Sequence, residues 1–422
     1  MLDIKFIREN KDLIKEAVRK KHITFDVDEL IGVDNKRRDI LAAVEKKRSE
    51  QNDYNTRIAS ATTEGERRPF IESMQMLKAL IQKDETALAE TMKQWQKLMV
   101  GVPNIPDISV PEGASDAENK EIRVHGDIPK FSFTPKSHME LMEGFDLADF
   151  KRGATVAGFR GYFLKGSGAE LSFALWQFAL EELTKKGFVP MIVPSLVKRE
   201  AFIGTGYLPQ GEEDLYKTQD DTYLAGTAEV ATMAYYMDEI LDKQTLPVKM
   251  LAFSPCFRRE AGSHGKDTKG VIRVHEFMKL EQVVLCEANH TESVKFHEEL
   301  TANAEDLLKA LQLPYRVVAN CGGDLGLGQV KKYDLEAWLP SENAYRETHS
   351  SSYFHDFQTR RLNIRYKDTD GKLRFAHSLN NTAIATPRIL APLLENNQEA
   401  DGSIRIPLVL QKYCGGKTVI TG

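Results

Sequence analysis

The sequence predicts an α+β fold preceded by a long helical arm, and three observations carry that expectation. Apolar residues in the first hundred positions recur at alternating spacings of four and three. A Pro- and Gly-rich stretch then interrupts the pattern, and beyond it short β-rich runs alternate with helical ones.

The arm comes first. From Phe70 the apolar positions run Phe70, Met74, Leu77, Ile81, Leu88, Trp95 and Leu98, a heptad seam that Asp84 breaks once. Leu30, Val33, Leu41, Val44 and Ile58 form a comparable stripe upstream, where Gly32 is an interruption. Residues 61–69 read as a polar turn, with Gly65 and Pro69 as breakers. Two helices joined by so short a turn pack antiparallel, and about 30 residues each reach roughly 45 Å. The expected element is an antiparallel coiled coil over about 27–99, with residues 1 to about 21 as a separate short helix at its base. Such an arm serves dimerisation or spacing, or acts as a rigid probe. Lys46, and Arg57, Arg67 and Arg68 near the tip, are candidate phosphate contacts, although the solvated face of a coil carries similar charges.

Pro103, Pro106, Pro111, Gly113 and Gly126 mark a boundary. The expected domains are a helical arm over 1–105, a linker over 106–130 and a catalytic domain over 131–422. In the last, 188–193 and 283–285 read as strands, and 171–183 and 389–396 as helices.

The chain has 422 residues, enough for two or three domains. With 41% hydrophobic and 28% charged residues, it is neither disordered nor fibrous. A net charge of −5 argues against indiscriminate DNA coating but leaves a local patch free to meet RNA. No apolar run reaches the ~18–20 residues of a membrane span. Asp3 and the lack of an apolar h-region argue against a cleaved secretory signal. Cys256, Cys286, Cys321 and Cys414 lie far apart without a CxxC, so they read as free thiols in a reducing cytoplasm.

Two Gly-rich stretches, 166–168 and 322–328, lack the Gly-Lys-Ser/Thr of a P-loop and read as turns. Richer is Phe257-Arg258-Arg259-Glu260, followed after a polar hairpin loop at 261–267 by Arg273-Val274-His275-Glu276-Phe277-Met278-Lys279-Leu280-Glu281. On an antiparallel pair Arg258 and Glu260 share a face, which suits a surface ion-pair ladder and a binding site equally. Thr227-Ala228-Glu229 places a hydroxyl and a carboxylate at period two, a pairing suited to an ammonium group. Glu347-Thr348-His349-Ser350-Ser351-Ser352 is either a Ser-rich turn or a site for a hard cation such as Mg²⁺. Asn380-Asn381-Thr382 begins a stretch ending in Arg388, just before a helical run, where positive charge favours phosphate.

In this order the segments resemble the class II aminoacyl-tRNA synthetases, and within them the seryl-tRNA synthetases, over essentially the whole chain. Residues 175–206 resemble motif 1, 257–281 motif 2 and 380–388 motif 3; 227–229 match the TxE element, and 347–361, with Asp356-Phe357-Gln358 and Arg360-Arg361, match the seryl pattern. The resemblance implies a class II antiparallel β-sheet catalytic domain behind a coiled-coil arm, dimerising through motif 1. It implies ATP-dependent ligation of L-serine to tRNA(Ser) through a seryl-adenylate, releasing AMP and diphosphate, in the cytoplasm and with Mg²⁺. tRNA(Sec) is a second candidate acceptor; no membrane or DNA partner is implied. The arm is expected to reach the long variable arm of the tRNA.

The resemblance also distributes roles. Arg258 holds the α-phosphate and the serine carboxylate, Glu260 accepts from the adenine amino group, and Val274 lies beside the base. Phe277 stacks on adenine with Arg388 across from it, Arg388 and Arg273 reach the terminal phosphates, and Arg259, Thr348 and His349 complete the ATP set. Glu347 and Ser350 hold Mg²⁺. Thr227, Ala228 and Glu229 take the serine ammonium group, while Glu281 and Thr382, supported by Asn380, read the hydroxyl. Alanine would leave a buried Glu281 unpaired, a strong penalty; threonine must be rejected by shape. Some positions depart from the family pattern. Asn381 and Thr382 stand where Gly and Ser are usual, so a shifted backbone and a narrower pocket are expected. His349 and Ser351 stand for Ser and Cys, and a histidine beside an ATP–Mg²⁺ site is expected to add pH dependence. Two rivals are a non-catalytic paralogue, which the intact Arg258, Glu260, Glu281, Glu347 and Arg388 argue against, and a carrier-protein aminoacylating paralogue, which would lack residues 25–100.

Overall fold

The structure, a computed structural model, describes residues 1–262, 265, 267 and 269–421. The chain divides into two compact units, Leu2–Arg19 with Ile23–Pro103, and Met1, Lys20–His22 and Asn104–Gly422.

The first unit is helical: α1 (Ile4–Glu9), α2 (Lys11–Lys20), α3 (Val27–Ser60) and α4 (Glu64–Gly101). The α3 side chain Asp26 caps the first turn by accepting from the Asp28 and Glu29 amides. A Thr63–Glu66 capping box starts α4, so the helix begins before the expected breakers. Gly65 and Pro69 therefore lie inside α4, and Gly32 inside α3. Pro69 deletes the bond to the Gly65 carbonyl, a loss that water offsets because both residues are exposed. At 34 and 38 residues the helices are about 51 and 57 Å long. Leu30, Val44, Met74, Leu77, Ile81 and Met99 are buried along the seam. The seam break at Asp84 is an ion pair with Lys47 of α3, beside Arg48–Glu85 at 2.7 Å. Asp34, on the buried face of α3, is neutralised by Arg8 and Arg37, each at 2.8 Å.

The second unit is built on an eight-stranded sheet. Its strands are β1 (Lys120–His125), β2 (Val189–Ile192), β3 (Val248–Phe257), β4 (Glu276–Cys286), β5 (Tyr315–Ala319), β6 (Lys331–Leu339), β7 (Ala344–His355) and β8 (His377–Thr386). The order is β1-β5-β6-β7-β8-β4-β3-β2, antiparallel throughout except for the parallel edge pair β2–β3. The stretch 106–130, expected as a linker, thus supplies the edge strand β1, and its Asp107 accepts from the Tyr353 hydroxyl at 2.8 Å. Helices α5 (Gly166–Lys185) and α6 (His290–Ala310) cover one face of the sheet. Leu175, Phe178, Leu300 and Leu307 pack there with Leu280, Leu335 and Ile384. By alternation, Phe277, Lys279 and Glu281 of β4 point to the opposite face. All four cysteines are buried and free. Among the described residues no helix is long and apolar enough to cross a membrane.

Candidate active site

The uncovered sheet face holds a cleft of about 540 Å³. Its walls come from the β3–β4 hairpin, β7, β8 and the residues that follow β8. Strand β3 ends at Phe257, so Arg258 and Glu260 lie past the strand, and Glu260 has a left-handed backbone (φ 55°). Both still line the cleft. The ladder Phe257↔Glu276 makes this a hairpin as expected; Ser263, His264 and Lys266 of its loop lie outside the described residues.

Two bulges set which side chains enter. Leu335 pairs with His349 but Glu336 pairs with Glu347, so Thr348 is an extra residue in β7. Leu280 pairs with Ile384 but Glu281 with Thr382, so Ala383 is the extra residue in β8. Glu347, Thr348 and Ser350 consequently line the cleft together, a combination that period two alone does not give. His349 turns inward and is 1% exposed. Its Nε2 faces the Ala383 carbonyl at 2.9 Å and its Nδ1 faces the Thr348 hydroxyl at 2.8 Å. A carbonyl only accepts, so Nε2 carries the proton and Nδ1 accepts from Thr348. His349 ties one bulge to the other rather than meeting a nucleotide. Burial lowers its pKa to about 4, which removes the pH dependence expected of it.

The cleft is lined by opposed charges. The Arg258 guanidinium lies 5.2 Å from the Phe277 ring centroid, and its Nε donates to the Gly226 carbonyl at 3.2 Å. Glycine fits closely at 226: a Cβ there would sit 3.3 Å from the Phe257 carbonyl oxygen and 3.4 Å from the Arg258 stem, tight enough to ask for a small shift. Arg388 donates from Nε to the Ile272 carbonyl (2.8 Å), and its Nη1 lies 3.5 Å from a Glu347 carboxylate oxygen. The protein mass around Glu347 opposes its ionisation, but Arg388, Lys332, Arg258 and Lys279 outweigh it and hold the carboxyl below its usual range. Arg273 pairs with Glu260 at 2.6 Å and lines an adjoining cavity that shares Glu347 and Arg388.

Two buried carboxylates, Glu281 and Glu229, are not among the residues that line the cleft. Glu281, 2% exposed, takes Lys279 Nζ at 2.6 Å and the Thr382 hydroxyl at 3.4 Å. Burial raises its pKa against the pull of Lys279. Glu229 opens the short helix Glu229–Ala234, and the Thr227 hydroxyl accepts from its amide at 3.3 Å. Thr227 and Glu229 are thus neighbours at a helix start, not alternate residues of a strand. Ala228 between them is fully buried. Tyr207 and Gln358 donate to the two Glu229 oxygens at 2.9 and 2.6 Å. Burial pushes the Glu229 carboxyl up to about 7.

Of the residues expected from sequence, Arg258, Glu260, Val274, Phe277, Glu347, Thr348, Ser350, Thr382 and Arg388 line the cleft. Arg259 is exposed and does not, because it occupies the outward position between Arg258 and Glu260. Asn380 is buried in β8 between Val283 and Ser352 and does not line it either. Asn381 has ordinary strand geometry; its Nδ2 donates to the Leu300 carbonyl of α6 at 2.8 Å, so its replacement of glycine is felt on the helix side. Lys279 and Ile272 line the cleft without having been singled out. For Lys279 the signal was present: it alternates with Phe277 and Glu281. At the arm tip, Arg57 pairs with Asp53 (2.9 Å), Arg68 with Glu72 (3.2 Å), and Arg67 donates to the Ala61 carbonyl at the end of α3 (2.8 and 3.0 Å). Lys46 is exposed.

A cleft of arginines and an aromatic ring on the open face of an antiparallel sheet defines the class II synthetase core. Residues 214–397 match the family described as tRNA synthetase class II core domain (G, H, P, S and T). Residues 1–106 match the seryl-tRNA synthetase N-terminal domain. The chain is 47% identical to a serine–tRNA ligase of Deinococcus radiodurans, covering 100% of this chain and 99% of that one. Among solved structures, a seryl-tRNA synthetase from Pyrococcus horikoshii complexed with ATP is 39% identical with a TM-score of 0.92, covering 100% and 99% of the two chains. A cytoplasmic serine–tRNA ligase from Naegleria fowleri in complex with AMP is 31% identical with a TM-score of 0.87, at the same coverage. The chain belongs to the seryl-tRNA synthetase family.

Proposed function

We infer that the chain is a serine–tRNA ligase that activates L-serine with ATP and transfers the seryl group to tRNA(Ser) for translation. The observation that carries this reading is Glu281, buried and bonded to Thr382, which lines a cleft whose walls present Arg258 and Arg388. A serine carboxylate oxygen attacks the α-phosphorus of ATP, the bond to the bridging oxygen breaks, and diphosphate leaves. The 3′-terminal ribose hydroxyl of the tRNA then attacks the seryl carbonyl and gives up its proton, and AMP leaves. Both steps bring anionic or electron-rich groups together, so positioning and fixed positive charge suffice without a covalent enzyme nucleophile.

Arg258 takes the α-phosphate and the serine carboxylate, and Arg388 and Arg273 take the terminal phosphates. The Phe277 face not covered by Arg258 stacks on adenine, with Val274 beside it and Glu260 accepting from the amino group. Thr227, Ala228 and Glu229 receive the serine ammonium group. Glu281 and Thr382 read the hydroxyl, and Asn380 supports the strand that carries Thr382. Mg²⁺ fits the hard oxygens of Glu347 and Ser350, which would leave most of its coordination to phosphate and water; when bound it supplies positive charge to the phosphates.

The arm over 1–105 binds the tRNA through Lys46, Arg57, Arg67 and Arg68, and residues 131–422 carry catalysis. Phe173 of α5 and Val189 and Ile192 of the edge strand β2 are exposed apolar side chains in the motif 1 region and support a homodimer. A role in translation places the enzyme in the cytoplasm. tRNA(Sec) is a second acceptor, tested by charging its transcript beside that of tRNA(Ser). ATP–pyrophosphate exchange tests the central reading. Exchange with serine, and not with threonine or alanine, is the expected result; a folded protein that exchanges with no amino acid would overturn it in favour of the non-catalytic paralogue.

A further inference from the structure

We propose that Tyr207 and Gln358 are positioning residues for the substrate ammonium group, clamping the Glu229 carboxylate from two sides so that its remaining lone pairs face the serine. The proposal rests on the reading of Glu229 as the ammonium acceptor. It comes from two separate elements meeting at one carboxylate, with a third holding one of them in place. Tyr207 lies in the loop after the helix Arg199–Thr205, Gln358 on the helix Phe357–Leu362, and Ser378 on β8. The Tyr207 hydroxyl donates to Glu229 Oε2 at 2.9 Å, and Gln358 Nε2 donates to Oε1 at 2.6 Å.

The orientation of the Gln358 amide is fixed by its surroundings. Its nitrogen faces two groups that only accept, the Glu229 carboxylate and the Thr205 carbonyl at 3.2 Å. Its oxygen accepts from the Ser378 hydroxyl at 2.7 Å. A flipped amide would set an oxygen against both acceptors. Gln358 and Ser378 are buried, so water cannot take over either contact. A carboxylate offers about four lone-pair positions. The clamp occupies one on each oxygen and leaves the others for the ammonium protons. Thr227 is bonded to the Glu229 amide rather than to its carboxylate, its hydroxyl oxygen accepting. Glu281 and Lys279 are charged neighbours of Glu229, and they bond to each other. Removing either clamp donor frees the carboxylate to turn and strips a hydrogen bond from a buried charge, a loss of about tenfold or more in ammonium binding.

The test is steady-state pyrophosphate exchange on the full-length enzyme, with KM for serine and for ATP measured separately and a thermal melt for each variant. Tyr207→Phe and Gln358→Met are each expected to raise the serine KM about tenfold or more, with the ATP KM within about twofold of wild type. Tyr207 is partly exposed and keeps its ring in Tyr207→Phe, so that variant decides the matter if Gln358→Met fails to fold. An unchanged serine KM in Tyr207→Phe, or a parallel rise in both KM values, overturns the clamp. Glu229→Gln separates the two ideas. If it leaves the serine KM unchanged, the reading of Glu229 falls; if it raises the KM while the two clamp variants do not, only the clamp falls.

Discussion

Glu229 and Glu281 are buried carboxyl groups close enough to feel each other's charge, and each is shifted upward by burial, Glu229 to about 7. Only the carboxylate form attracts an ammonium group. Below pH 7 a growing share of Glu229 is protonated, so the serine KM should rise as pH falls, by about tenfold from pH 8 to pH 6, while serine itself stays an ammonium ion. The ATP KM over the same range serves as the control. His349→Ser should leave this profile unaltered, since a histidine with a pKa of about 4 is neutral throughout; a flatter profile in that variant would move the titration to His349. The sequence made Arg258, Phe277, Glu281 and Arg388 legible because each stands in a motif whose chemistry needs its residue type. It did not reveal where His349 points, since counting by two along β7 assumes an unbroken ladder and Thr348 breaks it. Asn381 misled for a related reason: its partner, the Leu300 carbonyl, is supplied by a helix some 80 positions away in sequence.

At the scale of elements, the arm was legible because a heptad seam is a local pattern, and the extent of α4 was not, because one cap outweighed a glycine and a proline. The tip cations are not equivalent. Arg67 closes the end of α3 by donating to the Ala61 carbonyl, whereas Lys46 is exposed. Lys46→Ala should weaken tRNA(Ser) binding and reduce the dependence of log K on log salt by about one, with no change in helix stability. Arg67→Ala should do the same and also speed amide hydrogen exchange at 57–61. Equal salt slopes for Lys46→Ala and wild type would remove Lys46 from the RNA-binding face.

For the molecule as a whole, the two edges of the sheet are finished differently. One is closed by β1, contributed by a stretch whose composition reads as linker. The other ends at β2, where Ile192 is 87% exposed and Phe173 of α5 is 60% exposed. Ile192→Asp should shift the protein from dimer to monomer in analytical ultracentrifugation at micromolar concentration, and serine-dependent exchange should fall with it. An unchanged sedimentation coefficient would show that β2 is not the contact.

The two bulges at Thr348 and Ala383 mean that the sheet keeps more than one counting frame. On either side of Thr348, residue numbers of the same parity point to opposite faces, so an even-numbered serine and an odd-numbered glutamate look into the same cleft. A deletion of Thr348 would merge the frames into one regular ladder, leaving Glu347 and Ser350 on the cleft face but removing the hydroxyl that donates to His349. A protein with native circular dichroism and weakened pyrophosphate exchange is the expected product. In that strand the bulge, and not the residue count alone, decides which side chains the cleft receives.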